Sequence, residues 1–208
     1  VPARYPNYTA GTIFNGTAAD ALSPERVKRW ENPAGGFIHA MHSGQWGNMH
    51  YRITGKKGDE VTYEGGFQNN RPSPMHARYR FVENIREELD APGEWFLDKQ
   101  VLYYFPTEGE DPNAATVEVS VLPHLIELRG TPENPLSNVT IHNLRFTHTR
   151  RTFMEAYEPL MRSDWQIHRG AALLLENTQD CAVTRCEFTH LGGNSLFISR
   201  YGFNNEVK

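Results

Sequence analysis

Hydrophobic and polar positions alternate in the stretch SNVTIHNLRFTH (137–148), where Val139, Ile141, Leu144 and Phe146 are set against Thr140, His142 and Arg145. The phase shifts once, at Asn143. A period of two predicts strand, and a phase shift inside it predicts a bend between two strands. The stretch QDCAVTRCEFTH (179–190) repeats the pattern. With Phe146 set on Phe188, Asn138 falls on Asp180, Val139 on Cys181, Ile141 on Val183 and Leu144 on Cys186, so apolar lands on apolar. Arg145 lands on Glu187, and opposite charges on strands about 4.8 Å apart can pair.

The same text recurs further on. AALLLEN (171–177) matches NSLFISR (194–200), with Leu175 and Ile198 23 positions apart; Val183 and Val207 are 24 apart, and HLIELRG (124–130) holds the equivalent place before the first phrase. A period in the low twenties, made of strands and bends, predicts a stacked solenoid whose repeats bury their apolar rows only against one another. The expected fold is all-β: a right-handed parallel β-helix over 124–208, its first coils only. Phe146 and Phe188 are 42 apart, so one coil carries an insertion, TRRTFMEAYEPLMRSDWQIHRG (149–170). A long loop on a rigid scaffold is where function gathers. The alternative is a loop that covers the flank, anchored by Phe153, Met154 and Leu160.

The N-terminal part is written differently. SPERVKRW (23–30) predicts a short helix in segment 1–36, with Ser23 as N-cap and Pro24 at the first position. Short alternating stretches follow at 35–42, 49–55, 60–66 and 77–85. GEWFLDKQVLYYFP (93–106) predicts a hairpin turning at Asp98-Lys99-Gln100, and ATVEVSVL (115–122) predicts a strand leading into the coils. Residues 37–123 are therefore expected to form an antiparallel β module, inserted in or capping the solenoid.

Composition narrows the partners. The 208 residues carry 21 basic and 25 acidic side chains with no polybasic run, which argues against nucleic acid. No apolar run is long enough to span a bilayer, and the first residues hold no signal-peptide core. Two cysteines, Cys181 and Cys186, cannot build a disulfide framework and occupy apolar positions of the repeat, where they act as small core fillers. Asn7, Asn15 and Asn138 begin N-x-T sequons, which matter only in a secreted eukaryotic protein; at Asn138 a turn residue is the simpler reading.

Three longer phrases carry a resemblance: NPAGGFIHAMHSGQWGNMHYRITGK, ENIREELDAPGEWFLDKQVLYYFP and FTHTRRTFMEAYEPLMRSDWQIHRGAALLLENTQDCAVTRCEFTHLGGN. They are similar to β-helix glycoside hydrolases, most closely family 141, whose members act as α-L-fucosidases or xylanases; family 120 β-xylosidases are a more distant look-alike. The resemblance implies a secreted or periplasmic glycoside hydrolase acting on plant-type or complex polysaccharide, with fucosylated or xylose-containing chains. Such enzymes are much longer, so the chain is expected to be an N-terminal fragment. It would supply part of the cleft and pack against the remaining C-terminal coils of the same protein, and the family's catalytic carboxylates are expected on later coils.

Glycoside hydrolysis takes two carboxyl groups, one held protonated and one ionised. Within this chain the insertion offers Asp164 and Glu155 as catalytic candidates, with Glu158 beside Tyr157 as a further carboxyl. Trp165, His168 and Arg169 in the insertion, and His42, Trp46 and His50 in the module, are the candidate substrate-binding residues. An aromatic face stacks on the C–H face of a sugar while polar groups meet its hydroxyls. The H-x-x-H spacing of His39 and His42 puts the rings on opposite faces of a strand, and no tetrahedral ligand set is completed. No metal and no cofactor is therefore expected. Two alternatives remain: a β-helical polysaccharide lyase, which would need an acidic calcium site not evident on the coil faces, and a non-catalytic carbohydrate-binding segment. Fold alone does not separate them.

Overall fold

The computed structural model describes residues 20–45, 47–66, 74–159 and 166–208. Among the described residues the fold is all-β apart from one six-residue α-helix and one 3-10 turn. The chain divides into two compact units. The first takes in the described residues up to Thr116, with Pro159 and Gln166; the second comprises Val117–Glu158 and Ile167–Lys208.

The first unit opens with helix α1 (Pro24–Arg29). Ser23 caps it, its hydroxyl accepting from the Arg26 N–H at 3.4 Å, and Pro24 sits where no N–H is needed. Four strands follow: β1 (Phe37–His42), β2 (Asn48–Lys57), β3 (Glu60–Gly65) and β4 (Met75–Glu83). They form an antiparallel sheet in the order β3-β2-β1-β4. Alternation puts Ile38, Ala40, Met49, Tyr51 and Ile53 on one face, where they bury against Val27, Trp30 and Ile85. His39 opposes His50 across β1 and β2, and Phe81 across β1 and β4, so these three share the other face. The hairpin expected at 93–106 is present as β5 (Trp95–Asp98) and β6 (Val101–Tyr104). Lys99 in its turn has φ 54°. The Asn84 side chain holds β5 by exchanging two hydrogen bonds with Leu97, at 2.9 and 3.2 Å.

The second unit contains β7 (Ile126–Arg129), β8 (Leu136–Ser137), β9 (Thr140–His142), β10 (Arg145–Thr147), β13 (Leu173–Gln179), β14 (Ala182–Thr184), β15 (Glu187–Thr189), β16 (Leu196–Phe203) and β17 (Glu206–Val207), and the two-residue strands β11 (Glu158–Pro159) and β12 (Gln166–Ile167) fall where the chain passes from one unit to the other. Three ladders join equivalent strands, all parallel. One runs β16-β13-β7 with β8 also on β13, the second runs β17-β14-β9, and the third joins β10 to β15. The register is the one the repeated phrase predicts. Ile141 pairs with Val183, Arg145 with Glu187 and Phe146 with Phe188, and Leu175 lies between Leu128 and Ile198. The two phenylalanine rings stack with centroids 4.8 Å apart.

The bends recur at matching places. Asn138, Asp180 and Asn204 take positive φ at one, Asn143 and Arg185 at the next, and His148 and His190 at a third. Short polar side chains tolerate this left-handed conformation best, which explains the Asn and Asp positions. At Gly130 an added Cβ would stand 2.3 Å from the Leu136 N atom, so only glycine lets the chain pass there.

Two expectations fail. Segment 115–122 alternates like a strand but forms none, and Val117, Val119 and Val121 are exposed. Alternation records which way side chains would face; it does not supply a partner for the backbone. Leu144 was expected inside and is 47% exposed. It lies at the bend between β9 and β10, next to Asn143 with its positive φ, and outside both strands, whereas Ile141 and Phe146 within them are buried. The Arg145–Glu187 pair forms, Nε to Oε2 2.7 Å, but both side chains are mostly exposed, so it contributes at most about 1 kcal/mol.

Both cysteines are free thiols; Cys181 is buried and Cys186 half-buried. Native protein is therefore expected to leave Cys181 unmodified by a bulky aromatic disulfide, and protein in guanidinium to titrate two thiols. Full native labelling at Cys181 would contradict the packing of this ladder.

Candidate functional site

The insertion joins β10 to β13, and its first limb is clamped at its root. The Gly192 N–H donates to the Thr149 hydroxyl at 2.9 Å, and the Thr152 N–H donates to the Gly192 carbonyl at 3.0 Å. Both threonines are buried. Glu155, one catalytic candidate, accepts from the Arg150 guanidinium at 2.7 Å and is 40% exposed. Asp164 and Trp165 lie outside the described residues, as does Trp46.

Where the insertion returns to the ladders, Arg169 is held firmly. Its Nε and Nη2 donate to the two oxygens of Glu158, the latter at 3.0 Å, and its Nη1 donates to the Ser199 hydroxyl at 2.8 Å. The hydrogen bonds from Arg169 hold the Glu158 carboxyl below the ordinary carboxylate range, and Glu158 in turn raises Arg169. Beside this fork, His168 stacks toward His124 with centroids 6.3 Å apart and meets the Tyr157 ring at 5.8 Å. Burial raises the Tyr157 hydroxyl above its usual range. His168 Nδ1 lies 3.4 Å from the Ala156 carbonyl, while its Nε2 is buried with no hydrogen-bond partner among the described residues. Gly170 makes the close approach possible, since a Cβ there would stand 2.3 Å from His124 Cε1 and 2.7 Å from His168 Nε2. The arrangement is a rigid donor fork next to a wall of rings.

In the first unit the histidines sort differently from the sequence grouping. His50 pairs with His39, Nδ1 to Nδ1 2.8 Å, and His39 Nε2 lies 2.9 Å from Glu83 Oε2. Phe81 stacks on the His39 ring at 4.6 Å. Burial, then the neighbouring His39, pushes the His50 pKa down to about 4. His42 is separate: its Nδ1 accepts from the Gly44 N–H at 2.8 Å, so it closes the β1–β2 turn.

The other carboxylates bear on what chemistry is present. On the β16-β13-β7 sheet Arg129 bridges Glu127 and Glu176, and Arg200 lies 3.4 Å from Glu176. Among the described residues every carboxyl with a resolved shift moves downward: Asp20, Glu88, Glu110, Glu127 and Glu158. These are anions, suited to hold arginines and to accept from hydroxyls, and none suits the part of a protonated acid. No group of three or more His, Cys, Asp or Glu among the described residues is placed to hold a metal ion.

The sequence grouping missed Ser199, His124 and Glu83. Ser199 was legible as an outward position of NSLFISR opposite Glu176; His124 and Glu83 meet their partners across 44 residues, and no local spacing marks them.

No known family profile matches the chain, and no curated protein matches it. A solved structure named glycoside hydrolase is similar over 86% of this chain and 37% of its own, with a TM-score of 0.64 and 20% identity. At that identity the likeness is one of fold. The chain thus spans just over a third of the length of that structure.

Proposed function

We propose that the chain is part of a glycoside hydrolase of the family 141 kind, acting on fucosylated or xylose-containing polysaccharide outside the cytoplasm. In this reading the parallel ladders of the second unit are coils of a right-handed β-helix, and the chain contributes cleft wall. The observation that carries the proposal is the fold likeness to a glycoside hydrolase over most of the chain. The site adds support. Arg169, fixed by Glu158 and Ser199, offers directional polar groups beside the Tyr157 and His168 rings, a combination that suits hydroxyls and ring faces of a sugar. Asp164, Trp165 and Trp46 keep their proposed roles as acid–base and stacking groups, and His42 and His50 as binding groups. Glu155, engaged by Arg150, keeps its proposed catalytic role.

One observation favours a second reading, a binding segment without chemistry of its own: Glu158 and Glu127 are each engaged by an arginine. The experiment separates the two. The protein carrying this chain is incubated with fucosylated and xylose-containing oligosaccharides, and new reducing ends and ultraviolet absorbance are followed together. Reducing ends without a new double bond are expected. Replacing Arg169 by alanine should lower kcat/KM about ten- to a hundredfold, the loss of one or two charge-assisted contacts, while Arg145→Ala leaves it unchanged. Release accompanied by absorbance, or binding with no release, overturns the hydrolase assignment.

A further inference from the structure

We propose that His148 and His190 form a two-imidazole site for a borderline divalent cation, with Cu2+ bound most tightly, which clips neighbouring repeats of the second unit together. Each phrase of the repeat ends in Phe-Thr-His. The core accounts for the phenylalanines, which stack inside. It does not account for the histidines, which are exposed. The backbone does not require them either. Both take a positive φ, 56° and 50°, but Asn138, Asn143 and Asn204 fill the same conformation at other bends.

The two rings are arranged alike. They lie parallel within 8°, with centroids 5.4 Å apart, and the His148 N–H donates to the His190 carbonyl at 3.1 Å. Each Nδ1 is in hydrogen-bond contact with the hydroxyl of the threonine before it, Thr147 at 2.9 Å and Thr189 at 2.8 Å. Those threonines are themselves paired in the β10–β15 ladder. Imidazole Nδ1–H donating to a fixed oxygen leaves the Nε2 lone pair for a metal, the way orienting partners commonly serve ligating histidines. Neither Nε2 has a hydrogen-bond partner among the described residues. Metal–nitrogen bonds of about 2.0–2.1 Å lie close to the plane of each imidazole, so the two parallel rings have to tilt toward one another for both Nε2 lone pairs to converge on one cation, a rotation that their exposed position leaves room for. Water would fill the remaining positions, and imidazole ligands favour copper, nickel or zinc over calcium or magnesium.

The test uses CuCl2 as probe, followed by electron paramagnetic resonance and by the thermal midpoint. Asparagine is the substitution of choice, because it keeps the left-handed backbone without an imidazole. Wild-type protein should bind one Cu2+ with a two-nitrogen signature and melt higher; His148→Asn and His190→Asn should each weaken binding at least tenfold and abolish the shift. His142→Asn, whose Nδ1 contacts Thr184 elsewhere on the surface, should bind as wild type. Thr147→Val should weaken binding less than His148→Asn while leaving the metal-free melt unchanged. Copper binding of equal strength and signature in the two asparagine variants, or none in the wild type, overturns the site.

Discussion

Replacing Glu88 by alanine should destabilise the first unit by about 3–5 kcal/mol, the cost of stranding buried partners of a removed charge. The side chain is about one-tenth exposed, and every group around it was placed to satisfy a carboxylate. Arg26 donates to both oxygens, the Trp30 indole N–H donates to Oε1 at 2.8 Å, and Arg29 lies 3.7 Å away. Burial by itself would raise the Glu88 carboxyl, but the hydrogen bonds from Arg26 and Trp30 and the arginine charges outweigh it and hold it low. The sign of the pH dependence follows. A carboxyl with a depressed folded-state pKa contributes stability that is full above its ordinary unfolded value and is lost as pH falls through the folded value. The urea midpoint of wild type should therefore drop on acidification below about pH 4–5. Asp20, held low by Arg80, adds a term of the same sign. Glu88→Gln, close in shape, should flatten part of that dependence. Equal midpoints for wild type and Glu88→Ala at pH 7 would show that α1 is not anchored here.

Leu173→Ala should destabilise the second unit by about 2–5 kcal/mol, the usual range for a large-to-small change in a core that cannot collapse. Leu173 is fully buried and sits between Ile126 on one neighbouring strand and Leu196 on the other. A cavity there removes contacts from both neighbours at once, and the ladder hydrogen bonds keep the strands from closing on it. Leu191, packed at the margin of the same cluster, should cost less when cut to alanine. Denaturant titration of the two variants measures the difference; a Leu173→Ala midpoint equal to wild type would mean that the parallel ladders do not carry the unit's stability.

Much of this molecule was legible in its sequence because local chemistry repeats. Equal spacing of Ile141, Phe146, Val183 and Phe188 sets which residues meet, since parallel strands in register place identical positions over one another. The shift at Asn143 marked a bend, and the residue does turn left-handed there. Ser23-Pro24 began a helix and Asp98-Lys99-Gln100 turned a hairpin, each from the conformational habits of a few adjacent residues.

What only the tertiary structure decided are the encounters between distant positions. His50 was grouped with His42 by proximity in the chain, yet antiparallel register carries it to His39, and the next strand adds Glu83. Arg169 had a visible charge, with Asp164 as a partner suggested by proximity in the chain, while its contacts with Glu158 and Ser199 are set by the fold. Leu144 and the 115–122 segment show the same limit from the other side: hydrophobic pattern states which face a residue would offer, while burial depends on whether the residue falls in a strand or at a bend and on whether another strand arrives to cover it. Periodicity is a property of neighbours along the backbone, and a binding site is a property of backbones brought together, so the repeat determined the register and the fold determined the company each side chain keeps.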